Sequence, residues 1–129
     1  MANEQEVVLE DNDFIISETD LKGKIILVNA DFCRISGYSF EDLVGKPHNV
    51  VRHKDMPKAA FKDLWETIQS GKIWTGYVKN KTKQGGFYWV YATVSPFKSC
   101  SGDAGYVSCR KKATREEIEE VEALYRTMS

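Results

Sequence analysis

The sequence predicts an α+β domain: a five-stranded antiparallel sheet with short helices and one longer helix on one face, and a further helix at the C-terminal end. Two observations predict it. The β-rich runs come as two short ones, then a block of helical segments, then three longer ones, without the regular strand–helix alternation that builds a parallel sheet. The longest helical pattern of the body sits between the second and third of those runs. At 129 residues the chain is one domain by size, long enough to bury a core without covalent staples.

Each element has a local reason. Residues 1–13 are polar and acidic and are expected to form an N-terminal tail or cap, with the body at 14–113 and a linker helix at 114–129. "FIISETD" and "KIILVN" are strands, and the "LKG" between them reads as a hairpin turn. Asn29 is placed to cap the short helix "ADFCRISGY", which Gly37 would end. "SFEDLVG" repeats this in miniature, with Ser39 as cap and Asp42 as the acid three residues on. In "PKAAFKDLWETIQSG", Ala60, Phe61, Leu64, Trp65 and Ile68 form one apolar stripe of an amphipathic helix. "WTGYVKNKTKQGGFYWVYATVSPF" gives two long strands around a turn, and "GYVSCRKK" the last. "TREEIEEVEALYRTM" opens with a capping box, Thr114 to Glu117, and carries a seam of Ile118, Val121, Leu124, Tyr125 and Met128.

Composition excludes several function classes. Eighteen basic and 19 acidic residues give a net charge of −1, and the cations are dispersed, which disfavours nucleic acid as a partner. The three cysteines fit neither a metal pair nor a disulfide framework, so a reduced, cytoplasmic domain is expected. No apolar run approaches the roughly 20 residues a membrane-crossing helix needs, and the acidic start is unlike a signal peptide, so no membrane contact by this segment is expected. There is no nucleophile–base arrangement and no phosphate-cradling glycine loop, so a non-enzyme is expected.

The chemistry gathers in "KPHNVVRHKDMPKAAF", residues 46–61. Arg52 presents a planar, permanently charged fork suited to phosphate or a ring carbonyl. Asp55 is placed to orient that arginine or to cap the helix that follows, and a plain capping role is the competing reading. His48 and His53 have no zinc-binding spacing, and no metal is expected. Strand alternation puts Trp74, Gly76, Val78 and Asn80 on one face, and Val90, Ala92 and Val94 on one face of the next strand, with Trp89, Tyr91 and Thr93 opposite. Trp74 would wall an aromatic ligand, or else be an ordinary core tryptophan; Asn80 would hydrogen-bond it. Tyr106, Ser108 and Arg110 share a face, and one residue of slip decides whether Arg110 looks inward.

"VNADFCRISGYSFEDLVGKP" resembles the core of PAS sensor domains, in which a strand-ending Asn, an "F…SGY" helix and an acidic turn recur in order. More narrowly, "PHNVVRHKDMPKAAF", "W-G-VKN" and "YWV" are similar to the flavin-binding PAS domains of bacterial aerotaxis receptors, over residues 14–128. This resemblance implies the PAS fold and noncovalent FAD whose redox state reports respiratory electron flow or oxygen. It implies a cofactor-binding set of His48, Arg52, Asp55, Trp74, Asn80, Asn29, His53 and Arg110. If its face is the inner one, and not turned to solvent beside Lys111 and Lys112, Arg110 falls where photoactive relatives place an amide near the flavin, and a cation there would favour a reduced, anionic ring. Those relatives also need a cysteine in the turn held here by "GKPHNVV"; none is present, so no photoadduct is expected. A haem gas sensor using His48 or His53, or a cofactor-free dimerisation module, are the alternatives. The implied partners are a neighbouring signalling domain of the same protein, HAMP-like or kinase, and a second copy in a homodimer.

Overall fold

The computed structural model describes residues 5–98 and 101–128; Cys100 lies outside them. In chain order the elements are β1 (Phe14–Asp20), β2 (Ile25–Val28), α1 (Ala30–Ser36), α2 (Phe40–Leu43), a 3-10 turn (His48–Val51), α3 (Lys58–Gln69), β3 (Trp74–Lys81), β4 (Phe87–Lys98), β5 (Ala104–Lys112) and α4 (Arg115–Arg126). The strands form one sheet in the order β2-β1-β5-β4-β3, antiparallel throughout. The chain's last strand is therefore the central one, flanked by the first and the fourth.

The helix signals work as the sequence suggests. Asn29 accepts from the Phe32 N–H at 3.1 Å, and Gly37 ends α1 at φ 79°, donating its N–H to Cys33 O. The boxes Ser39/Asp42 and Thr114/Glu117 are both closed in each direction.

Register settles which side chains look inward. Arg110 pairs with Ala92 on β4 and Ile15 on β1, both fully or nearly fully buried, so it faces the core side. α1 and α3 cover that side, and the main core runs from Ile15, Ile25 and Phe32 to Tyr88, Val90 and Tyr106. The opposite side carries Trp89, and α4 folds back over it. Ile118 and Val121 pack there with Trp89 and Ala113, beside Tyr77, Phe87 and Tyr125. The sheet thus has helices on both faces.

Residues 5–7 lie along the start of β4. The Val7 N–H donates to Phe87 O at 2.8 Å, the Phe87 N–H donates to Gln5 O at 3.0 Å, and Leu9, 3% exposed, joins the main core. A single apolar anchor in an acidic run leaves no periodic signal, which is why the sequence does not reveal Leu9 as a core residue.

Candidate functional site

Between the inner face of the sheet and α3 lies a cavity of about 490 Å³, within the range of small-molecule and cofactor sites. Its floor is Val78 and Asn80 of β3, Ala92 and Val94 of β4, and Tyr106, Ser108 and Arg110 of β5. Its roof is the α3 stripe of Phe61, Leu64, Trp65 and Ile68, and its rim is His48, Asn49 and Arg52. The short side chain of Ala92 leaves space that a larger core residue would fill. Phe61, Leu64 and Trp65 are only half-buried because they face this space instead of solid core. Trp65 meets Tyr106 edge-on at 5.8 Å, and its ring tip lies so near Gly23 that a Cβ there would sit 2.9 Å from it.

Three polar groups form one cluster in the cavity wall. The Arg110 guanidinium donates to Ser17 Oγ at 2.7 Å and meets His48 Nε2 at 3.0 Å, while Ser17 Oγ lies 3.0 Å from the same nitrogen. Arginine has donors only, so Nε2 accepts and the imidazole proton belongs on Nδ1. Desolvation first, and the Arg110 charge second, lower the His48 pKa to about 3 and keep the ring neutral at physiological pH. Arg110 is itself 3% exposed, with its charge centre 4.8 Å from the Phe32 ring. No carboxylate among the described residues pairs with it, its Nε has no hydrogen-bond partner, and burial pulls its pKa down to about 10. The Tyr88 hydroxyl is buried on the same face, and desolvation raises its pKa to about 12. The Arg110 charge and, after it, the Asn80 amide oppose that shift, and no group meets hydrogen-bonding geometry at this hydroxyl.

The structure brings His48, Arg52, Asn80 and Arg110 together at the cavity and leaves the other four sequence candidates outside its lining. Trp74 lies over Gly76, where a Cβ would come within 2.5 Å of the indole, and its N–H donates to Asp63 of α3 at 2.9 Å. The gap at Gly76 therefore holds the chain's own tryptophan, which ties α3 to the sheet. Asn29 Oδ1 also accepts from the Ile16 N–H, and its amide donates to Phe14 O, so it fastens β1 to α1. Asp55 neither orients Arg52 nor caps α3; it binds Lys79 Nζ at 2.9 Å, and the N-terminal cap position of α3 is Pro57. The Arg52 guanidinium instead lies 4.0 Å from the centre of the Phe61 ring. His53 is 2% exposed, with Nδ1 accepting from the Asp55 N–H and the ring edge-on to Phe87. His53 and Asp55 border a second, open groove of about 1130 Å³ that meets the first cavity at Asn49 and Arg52.

Sequence reasoning missed Ser17, the roof residues and Lys79. The alternation of Ile15, Ser17 and Thr19 held the signal for Ser17: two hydroxyls on an inward face need polar company. Phe61 and Trp65 were indistinguishable from core.

A profile of the PAS fold matches residues 25–109. The chain belongs to the PAS family. This PAS domain is 45% identical over 128 residues to the Aerotaxis receptor of Escherichia coli K12, an alignment taking in 99% of the chain and 25% of that receptor. It is 28% identical over 96 residues to the Nitrogen fixation regulatory protein of Klebsiella oxytoca, covering 74% of the chain and 19% of the relative. The chain spans a quarter or less of the length of these curated relatives. Among solved structures, the light state of the blue-light photoreceptor Aureochrome1 LOV matches with a TM-score of 0.71 at 17% identity, over 92% of this chain and 93% of that one. The Erythrobacter litoralis EL346 blue-light activated histidine kinase matches with a TM-score of 0.71 at 18% identity, over 88% of this chain and 39% of that one. These two likenesses show the fold. The aerotaxis and nitrogen-fixation relatives make this PAS domain a sensory signal-transduction module, and no helix among the described residues is long and apolar enough to cross a membrane.

Proposed function

We propose that this PAS domain binds FAD and serves as the redox and oxygen input of a larger, cytoplasmically exposed signalling protein concerned with aerotaxis or energy taxis. The observation that carries the reading is Arg110: a buried cation in a cavity wall, without a carboxylate of its own, needs an electron-rich or anionic partner from outside the chain. A flavin ring fits that need, since its carbonyls and ring nitrogens accept hydrogen bonds and its reduced form can carry negative charge.

In this reading Arg110 and Asn80 donate to the polar edge of the ring, and neutral His48 holds the arginine fork in place. Trp65, Phe61 and Val94 exclude water from its faces. Arg52, at the junction of cavity and groove, meets the pyrophosphate. His53 and Asp55 shape the groove beyond it, while Asn29 and Trp74 act from outside by fixing α1 and α3. When bound, FAD supplies a redox-active ring whose charge and protonation change on reduction. The domain's own part is to hold that ring, keep it dry and answer the charge change through Arg110. FAD is then a signal carrier and the domain is not an enzyme. Partners are a neighbouring signalling domain of the same protein and, through it, a second copy.

The test is the visible absorption spectrum of the purified domain with mass identification of the released cofactor. A yellow protein releasing FAD is expected; a colourless or haem-red protein would overturn the reading.

A further inference from the structure

The second groove is bounded by the turn 49–58, by the hairpin 81–86 and, unexpectedly for a linker, by Tyr125 and Met128 at the end of α4. Its charges are Arg52, Lys54, Lys58 and Lys81 against one carboxylate, Asp55, which already pairs with Lys79. That surplus of cations suits a diphosphate, and a tyrosine beside methionines suits a purine face. The groove opens into the ring cavity at Asn49 and Arg52, so one ligand can occupy both.

From this geometry we infer that Tyr125 and Met128 are binding residues for the adenosine end of a flavin dinucleotide, so that the filled groove holds α4 against the sheet. The inference rests on the flavin reading above and adds which part of the cofactor the C-terminal helix senses. Tyr125 is fixed from behind: its hydroxyl donates to Tyr77 O at 2.7 Å, and its ring stacks on Trp89 at 6.3 Å between centres. The rest of α4 is docked by Ile118 and Val121 on Trp89 and Ala113, by the Tyr77 hydroxyl donating to Glu117 and by the Arg115–Glu6 ion pair at 2.8 Å, all nearer its start, while Leu124 towards its end is 56% exposed. Lys79 links groove and helix from beneath, since its ammonium binds Asp55 and lies 4.5 Å from the centre of the Phe87 ring in the patch under α4. A ligand that fills the groove adds contacts at the C-terminal end of α4; one that stops at the ring's phosphate does not. Linkage makes the effect reciprocal, so loosening α4 weakens the dinucleotide and leaves the mononucleotide alone.

The experiment is amide exchange of residues 115–128 in the full chain, ligand-free, with saturating FMN and with saturating FAD. FAD is expected to slow α4 exchange roughly tenfold, and FMN to leave it at the ligand-free rate. Tyr125→Ala, and independently Met128→Ala at the helix end, should weaken FAD roughly tenfold and leave FMN affinity unchanged. Equal slowing by both flavins, no slowing by FAD, or variants that weaken FAD and FMN alike would overturn the inference while sparing the flavin reading. If neither flavin binds the unaltered chain, it is the flavin reading that fails.

Discussion

Two cations are buried in this sheet, and they live differently. Lys79, 6% exposed on the outer side, has Asp55 at 2.9 Å and the Phe87 ring beneath it. Arg110, 3% exposed on the inner side, has a serine, a neutral histidine and a cavity. Both pay for desolvation, but only Lys79 is compensated by an opposite charge within the chain. A buried cation that carries its own acid is structural. Arg110 borders a cavity without an acid, and in the proposed reading its partner is an electron-rich ligand in that cavity.

The largest expected effect that sharpens this contrast is on pH dependence. The folded pKa of His48 is about 3, below the ordinary 6.5, so between those values the unfolded chain binds the extra proton. Stability therefore rises with pH across that window and is lost as pH falls from about 6.5. The depressed carboxylates Asp13, Asp31, Asp42, Asp55 and Glu117 give up their own stabilisation as pH falls below their ordinary values of 3.8 for aspartate and 4.5 for glutamate. Denaturant melts of the ligand-free protein should lose about 2 kcal/mol between pH 6.5 and 4.5. His48→Gln should flatten that slope, and Arg110→Met should reduce it by removing the second cause of the shift.

Next in size is the stability of the ligand-free variants at neutral pH. Arg110→Met replaces an uncompensated cation with an apolar chain and should leave the unfolding free energy unchanged or raise it by about 1 kcal/mol. Lys79→Met removes one half of a pair whose other half, Asp55, is 55% exposed and stays solvated. Its cost should be within about 1 kcal/mol. If Lys79→Met proved neutral and Arg110→Met cost several kcal/mol, the contrast between the two cations would be inverted. The smallest effect is local: Thr114→Ala opens the capping box of α4 and should cost about 1 kcal/mol, read as faster amide exchange in the first turn of that helix.

The order and type of the elements were legible because each carries a local signal: Asn29, Ser39 and Thr114 as caps, Gly37 as a stop, and alternation in "YWVYATV". The inward facing of Arg110 was not, since it depends on pairing with Ala92 and Ile15 far away in sequence. The polar residues His48, Arg52, Asn80 and Arg110 of the cavity were candidates by residue type and strand face. Ser17 was not, because a serine in a β-run acquires meaning only through what lies across the sheet. Trp74 and Asp55 show the converse difficulty: residue type and position suggested ligand contacts, while the Trp74 ring fills the space over Gly76 and the Asp55 carboxylate is taken by Lys79.

The central claim is that Arg110 is held in the cavity for a flavin. Its most direct test is the equilibrium affinity of ligand-free wild type and Arg110→Met for FAD, followed by flavin fluorescence, with melting points to confirm that both are folded. The account predicts a loss of affinity of tenfold to roughly a hundredfold, as expected for a charge-assisted hydrogen bond, in a variant at least as stable as the parent. Unchanged FAD affinity in folded Arg110→Met would contradict it.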